Sequence, residues 1–389
     1  MFRKSYIWLI ALLLTSCNTS TPELQKDLTE PLAEQTALLP EKESVSAARL
    51  ERLSYGLNVT WLVNSGGYYN REQVTKDLDR FERLGVRHVR LVGLASAYFD
   101  EKNPAVIRPG ALRRLEEVIR LSLARDIAVI VDPLHYVATA TGYIGFEVPN
   151  RSTGALARAL VVFWGELAEA LRDTDPRRVF LEVVNEPATY RPATWYTLQE
   201  RILAAMRVGA PKHTLIAAAN LRVKSNWNNI SGLTALTPVS DSNVVYNFHY
   251  YSPMVFTHQG AEWLNTFKCM SKVSYPSSPD LVRSASVSPD CKDAATAQNW
   301  INYYGQEQWN LNKLRSDLKR AADWAKTHEV SVISNEIGAY KTPSNAKLRY
   351  YRDLATALAE LDIGWTAWAS ATDQQLVALG FSRNSTLVK

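Results

Sequence analysis

The sequence predicts an α/β protein: a single-domain (β/α)8 barrel with a long loop after its sixth strand. From about residue 50, short apolar stretches rich in β-branched residues alternate with amphipathic helical stretches. Eight such strand stretches follow one another, the number that this closed parallel fold requires. The Gly-rich turn G-x-G-x-x-G is absent. That turn usually follows the first strand of the competing open, doubly wound sheet.

The elements follow in order. A first strand is expected over residues 55–59, then a helix over 71–84 whose apolar positions Val74, Leu78, Phe81 and Leu84 have helical spacing and which stops at Gly85. Residues 88–92 form a second strand and 112–124 a second helix. A third strand over 127–132 is expected to break at Pro133, which cannot donate to a ladder. A helix over 155–171 leads to the fourth strand, an apolar run from Val179 that ends in Asn185-Glu186-Pro187. The fourth helix covers 195–208 and the fifth strand 214–219. The fifth helix is weakly signalled between Leu221 and Val239. The sixth strand covers 243–248. Further along come a helix over 311–327, a seventh strand over 330–334, a helix over 346–361 and an eighth strand over 364–368. About twenty residues remain, so the last helix must be short.

The long loop runs from Tyr251 to about Gln306 and holds Cys269, Cys291, Trp263, Phe267, Tyr275, Trp300, Tyr303 and Tyr304. Long loops in compact domains are usually functional. The expectation is a stapled wall of a cleft. The alternative is that its aromatics form a small satellite core.

Composition is that of a globular protein, 46% hydrophobic and 21% charged. A net charge of +5 without a Lys/Arg cluster points away from nucleic acid. The N-terminus carries an address. Arg3 and Lys4 precede an apolar run, Tyr6 to Leu14, too short to span a bilayer. Leu14-Thr15-Ser16-Cys17 resembles a bacterial lipobox, so residues 1–17 are read as a lipoprotein signal with Cys17 lipidated. The alternative is an ordinary signal peptide cut near Ser16. Residues 18–48, rich in Thr, Pro, Glu, Gln and Lys, read as a flexible tether, and 49–389 as the (β/α)8 domain. The expected location is the cell envelope, lipid-anchored in the periplasm or at the outer membrane or cell surface. In that oxidising setting Cys269 and Cys291 are expected to pair, free thiols being the alternative.

Active sites in parallel barrels lie at the C-terminal strand ends. Those ends carry Arg90 on the second strand, His135 beyond the third, Asn185 and Glu186 on the fourth, His249 and Tyr251 beyond the sixth, Glu336 on the seventh and Trp368 on the eighth. In this order they resemble glycoside hydrolase family 5, the cellulase-type retaining β-glycosidases. The likeness covers about residues 50–370. The resemblance implies Glu186 as general acid/base and Glu336 as nucleophile, supported by Arg90, Asn185, His249 and Tyr251, with His135 and Trp368 on the substrate. Retention needs two carboxyl groups about 5–5.5 Å apart in unlike surroundings. Arg90 beside Glu336 would keep that carboxylate ionised.

Trp227, with Trp61, Tyr68, Tyr69, Tyr136 and Tyr143, lies in strand-end loops and is a candidate sugar platform. With six His, no H-E-x-x-H and no clustered ligands, no metal or other cofactor is expected. The expected partner is a polysaccharide or oligosaccharide, met by a monomer. The expected activity is endo-acting hydrolysis of β-1,4-glucan. A β-mannanase, an exo-β-glucosidase, or an inactive carbohydrate-binding lipoprotein are the alternatives.

Strand alternation adds one expectation. Glu182 and His88 share the facing of Glu186 and Arg90, one layer deeper. A buried Glu needs a partner, so Glu182 is expected to pair with His88 or Arg90.

Overall fold

Eight parallel strands among the described residues close on themselves: β1 (Tyr55–Leu62), β2 (His88–Leu94), β3 (Ala128–Thr139), β4 (Val179–Glu182), β5 (Thr214–Ala218), β6 (Val244–Tyr250), β7 (Ser331–Ile337) and β8 (Gly364–Trp368). Each pairs with its neighbours in the chain, and β8 returns to β1. The computed structural model describes residues 45–381 except 64–68, 140–141, 224–225, 228 and 369. All of these belong to one unit, 42–389.

The strands are apolar on both faces because both faces are covered. Outward residues such as Val129, Val131 and Leu181 meet the helices. Inward residues Ala128, Ile130, Phe180, Ile216, Val245 and Ile333 fill the lower barrel with Leu53. Above them the inward positions turn polar: Arg90, Asp132, Glu182, Asn247 and Asn335 are all buried. The barrel thus supports a polar site on an apolar plug.

The outer ring is α1 (Arg71–Arg83), α2 (Pro109–Leu123), α3 (Ala155–Ala170), α4 (Pro192–Gly209), α5 (Asn229–Thr234), α6 (Leu311–Thr327), α7 (Ser344–Glu360) and α8 (Asp373–Ala378). Asn70 and Asn310 cap α1 and α6 through their side chains, and Thr372 with Gln375 forms a capping box on α8.

Several boundaries differ from the sequence reading. β3 does not break at Pro133 but continues to Thr139, and Tyr136 to Thr139 pair antiparallel with Gly142–Gly145. Its register with β2 shifts between Val92 and Leu94, so Pro133 occupies an irregularity where no ladder donor is needed. β4 ends at Glu182, although Val183 and Val184 stay buried. A helix, Ala47–Arg52, begins inside the stretch read as tether. Val45 and Leu50 pack on the inner apolar cluster, and Arg49 bonds Thr214 Oγ1 and Asn243 Oδ1, each at 3.1 Å. The body therefore reaches back to at least residue 45.

The segment read as a long loop is also more ordered than expected. It holds Met254–Thr257, a short pairing of Met270–Ser271 with Ser286–Val287, and a helix, Ala294–Glu307. Cys269 and Cys291 are joined by a disulfide. Tyr275 and Tyr304 belong to the core, while Trp263, Trp300 and Tyr303 are exposed. Residues 1–44, with Cys17, lie outside the described residues.

Candidate active site

Arg90 organises the site. It projects from β2 into the barrel and is fully buried. Its Nε and Nη2 grip Glu182 of β4 at 2.7 and 2.9 Å, a bidentate pair. The same guanidinium reaches Asp132 at 3.0 Å, Glu336 at 3.0 Å, Asn58 Oδ1 at 3.0 Å and Asn185 Oδ1 at 2.9 Å. Five side chains from four other strand ends are thus fixed by one planar fork. Of the two partners expected for Glu182, Arg90 is the one found. His88 instead bonds the Arg52 carbonyl at 3.0 Å and Thr366 Oγ1 at 2.8 Å. Glu182 also accepts from Asn247 Nδ2 at 3.0 Å and Asn335 Nδ2 at 2.7 Å.

Glu336, near the end of β7, has both oxygens occupied. Oε1 takes the Arg90 bond and Oε2 accepts from Tyr251 Oη at 2.7 Å. Trp368 Nε1 in turn donates to Tyr251 Oη at 2.7 Å. Burial, then the charges of Glu336 and Glu186, hold the Tyr251 phenol far above its ordinary value, so it remains a donor. Hydrogen bonds at both oxygens hold this carboxylate in one orientation, as a nucleophile needs.

Glu186 sits just past β4 with a left-handed backbone, φ 40°. A non-glycine residue there carries local strain, which such sites concentrate. The turn lifts the carboxyl into the cleft, where it bonds His249 Nδ1 at 2.9 Å. The same Nδ1 lies 3.4 Å from Glu336 Oε2. Burial pushes the Glu186 carboxyl up, but the His249 bond and charge outweigh it, and the group ends below the ordinary carboxyl value. Burial likewise opposes the His249 imidazolium, but the Glu336 charge and the Glu186 bond leave it above its ordinary value. His249 thus stands as a shared polar partner between the two carboxylates.

One oxygen of each carboxylate and one His249 nitrogen all lie within 4.8 Å of one another. That spacing belongs to a retaining pair and is well short of the roughly 6.5–9.5 Å that lets water enter between inverting carboxyls. The same three groups could ligate a cation by distance, but Arg90 already supplies the positive charge at Glu336.

The structure brings Arg90, His135, Asn185, Glu186, His249, Tyr251, Glu336 and Trp368 to one end of the barrel. His135 is 2% exposed, its Nδ1 2.6 Å from Asp132 and its Nε2 3.6 Å from Glu336. Its ring is thus held by Asp132 and stands beside Glu336. Trp61 bonds Asp77 at 2.8 Å and stacks on Phe81. Tyr136 packs on His135, ring centroids 4.2 Å apart. Tyr68 and the side chains of Trp227 and Tyr143 lie outside the described residues. Sequence reasoning missed Asn58, Asn247 and Asn335. Two signals were available. Asn247 stands two residues before His249 and so shares its facing, and Asn58 interrupts an apolar strand.

Residues 53–374 match the Cellulase family, glycosyl hydrolase family 5. The chain belongs to that family. Family 5 chemistry is the hydrolysis of O-glycosidic bonds, and the two carboxylates described above fit it. Among curated relatives, Endoglucanase 3 of Fibrobacter succinogenes is 24% identical over 366 residues, covering 89% of this chain but only 54% of its own length. Endoglucanase C of Acetivibrio thermocellus is 24% identical over 332 residues, covering 79% of this chain and 89% of its own. Among solved structures, endoglucanase Cel5A of Thermotoga maritima superposes with a TM-score of 0.64 at 20% identity, covering 85% of this chain and 98% of its own. The likeness confirms that the family 5 barrel is the fold of this chain.

Proposed function

We propose that this chain is a retaining endo-β-1,4-glucanase, held at the bacterial cell envelope by a lipid on Cys17 and acting as a monomer. The observation that carries the activity is the Glu186–Glu336 pair, within 4.8 Å and in unlike surroundings. Glu336, held by Arg90 and Tyr251, attacks the anomeric carbon. The glycosidic C–O bond breaks as Glu186 gives its proton to the leaving oxygen. In the second half Glu186 takes a proton from water, which displaces Glu336 from the sugar. A sugar over the cleft excludes water from Glu186 and favours its neutral form, the form that can give a proton to the leaving oxygen. Once Glu336 is esterified its charge is gone, which lowers the proton affinity of Glu186 and lets it return as the anionic base. We assign contact with the sugar 2-hydroxyl to Asn185, whose Oδ1 accepts from Arg90. The relatives named as endoglucanases support β-1,4-glucan as substrate. The Leu14-Thr15-Ser16-Cys17 sequence supports the anchor.

A panel of carboxymethyl cellulose, mixed-linkage glucan, mannan and xylan, read for product length and anomeric form, tests this reading. Internal cleavage of the first two with retention is expected. Glu186→Ala should lower kcat by about 10²–10⁴-fold, and Glu336→Gln should abolish turnover. Wild-type rates in both variants refute the mechanism. Recovery of Cys17→Ala protein in the membrane fraction refutes the anchor, and a dimer on gel filtration refutes the monomer.

A further inference from the structure

We propose that Asp132 is a positioning residue for the reaction, acting through the His135 ring on the nucleophile Glu336. The inference rests on the glucanase reading and adds to it a residue that touches no sugar.

Asp132 and His135 stand three positions apart on β3. In a regular strand that odd spacing sends two side chains to opposite faces. Here both turn inward and meet, and the pairing with β2 shows why. Val92 lies opposite Asp132 and Leu94 opposite Tyr136, so a step of two residues on β2 is matched by a step of four on β3. The extra residues bend β3 and re-aim its side chains, as bulges do. Gly93 gives them room, since a Cβ there would stand 2.7 Å from Pro133 Cα. The irregularity at Pro133 is thus what brings the carboxylate and the imidazole together.

Asp132 Oδ2 lies 2.6 Å from His135 Nδ1 and 3.0 Å from Arg90 Nη2. A carboxylate accepts and does not donate, so the proton of the short contact sits on Nδ1. Nε2 then faces the other way, 3.6 Å from Glu336 Oε1. Arg90 Nη1 reaches that same Glu336 oxygen at 3.0 Å. One oxygen of Asp132 and one of Glu336 are therefore spanned twice, by the imidazole and by the guanidinium. A ring flipped about its Cβ–Cγ bond would set carbon against Glu336 instead of nitrogen. Asp132 prevents the flip and fixes which ring nitrogen carries the proton. Support of the fold alone does not account for this residue. Asp132 is fully buried, yet its Oδ1 has no hydrogen-bond partner among the described residues, and such an oxygen costs stability. Arg90 has less need of it, because Glu182 already takes Nε and Nη2 as a bidentate pair.

The test is a double-mutant cycle on cellohexaose hydrolysis. Asp132→Asn keeps the shape of the side chain but removes its charge and lets an amide N–H₂ turn toward the ring. It should lower kcat about ten-fold and change KM by less than about two-fold. In a His135→Ala background the same substitution should lower kcat by less than about two-fold, because the group it acts through is gone. A purely structural role gives the full loss in both backgrounds. That result, or wild-type kcat in Asp132→Asn, overturns the positioning role while the glucanase reading stands. Nitrogen NMR of histidine-labelled wild-type protein supplies a measurement that does not depend on Asp132→Asn folding. The His135 signals, identified by their loss in His135→Ala, should show a protonated Nδ1, and a bare Nδ1 overturns the role. If the wild-type protein cleaves no glucan yet Nδ1 is protonated, the glucanase reading falls and the hold of Asp132 on His135 stands.

Discussion

At the scale of single residues, the barrel spends one guanidinium on three carboxylates. Arg90 meets Glu182, Asp132 and Glu336, each at 3.0 Å or less. Of these only Glu336 faces the chemistry. Glu182 lies below it, satisfied by Arg90, Asn247 and Asn335. Removing one member of a buried pair strands the other charge, at a cost of about 3–5 kcal/mol. Glu182→Ala should therefore lower unfolding free energy by about that amount, measured in denaturant. It should also lower kcat more than KM, because a re-aimed Arg90 shifts Glu336 and Asn185 together. Glu182→Gln keeps the shape but presents an amide N–H₂ toward the Arg90 donors, so it should recover stability only in part. Wild-type stability and kcat in Glu182→Gln would remove Glu182 from its positioning role.

At the scale of elements, strand packing is tightest where β1 crosses β2. Gly56 pairs with His88, and a Cβ at Gly56 would stand 2.2 Å from the His88 ring. No rotation relieves this, because the ring is held at both nitrogens. Gly56→Ala should lose about 1–3 kcal/mol or more by overpacking, read as a lower denaturation midpoint. An unchanged midpoint would mean that β1 can shift freely. Such a constraint cannot be read from one strand alone, and the same limit explains what the sequence left hidden. The strands were legible because parallel strands are apolar on both faces, and α6 because its run is regularly amphipathic. The passage of β3 through Pro133 was not, since it depends on register with β2. The helix Ala294–Glu307 was hidden by the aromatics around it, although Ala297, Ile301 and Tyr304 carry a helical spacing and are the buried face. In the site, strand parity was enough to bring Glu182 to Arg90. The left-handed turn at Glu186 leaves no mark in composition, and Asn247 and Asn335 looked like ordinary polar residues until their carboxylate partner was known.

At the scale of the whole molecule, burial keeps several histidines neutral, and this sets how the fold responds to acid. His88 is fully buried; desolvation, with the nearby Arg90 charge, lowers its pKa to about 3 despite the bond to the Arg52 carbonyl. Its ring is enclosed by Gly56, Arg52, Arg90 and Thr366. His213 is lowered to about 4 by burial and by Arg207 and Arg49, and His258 to about 4 by burial against the opposing charges of Glu186 and Glu336. Between about pH 4 and 6.5 the unfolded chain binds protons at these three positions and the folded chain does not. Stability must therefore rise with pH across that window and fall on acidification, by about 1.4 kcal/mol per pH unit for each histidine held neutral. His249 works in the opposite sense. Its pKa is raised, so it stabilises below about 6.5 and that contribution is lost as pH climbs through its folded value. Below about pH 6.5 His249 is protonated in both states and adds no slope, so the three neutral histidines set a net loss on acidification. Unfolding free energies measured in denaturant at pH 7, 6, 5 and 4.5 should decline steadily. His88→Asn should show a shallower decline by about one proton's worth of slope, whatever its stability at pH 7. A flat profile over this range, or a His88→Asn profile parallel to wild type, would mean that His88 is charged in the fold.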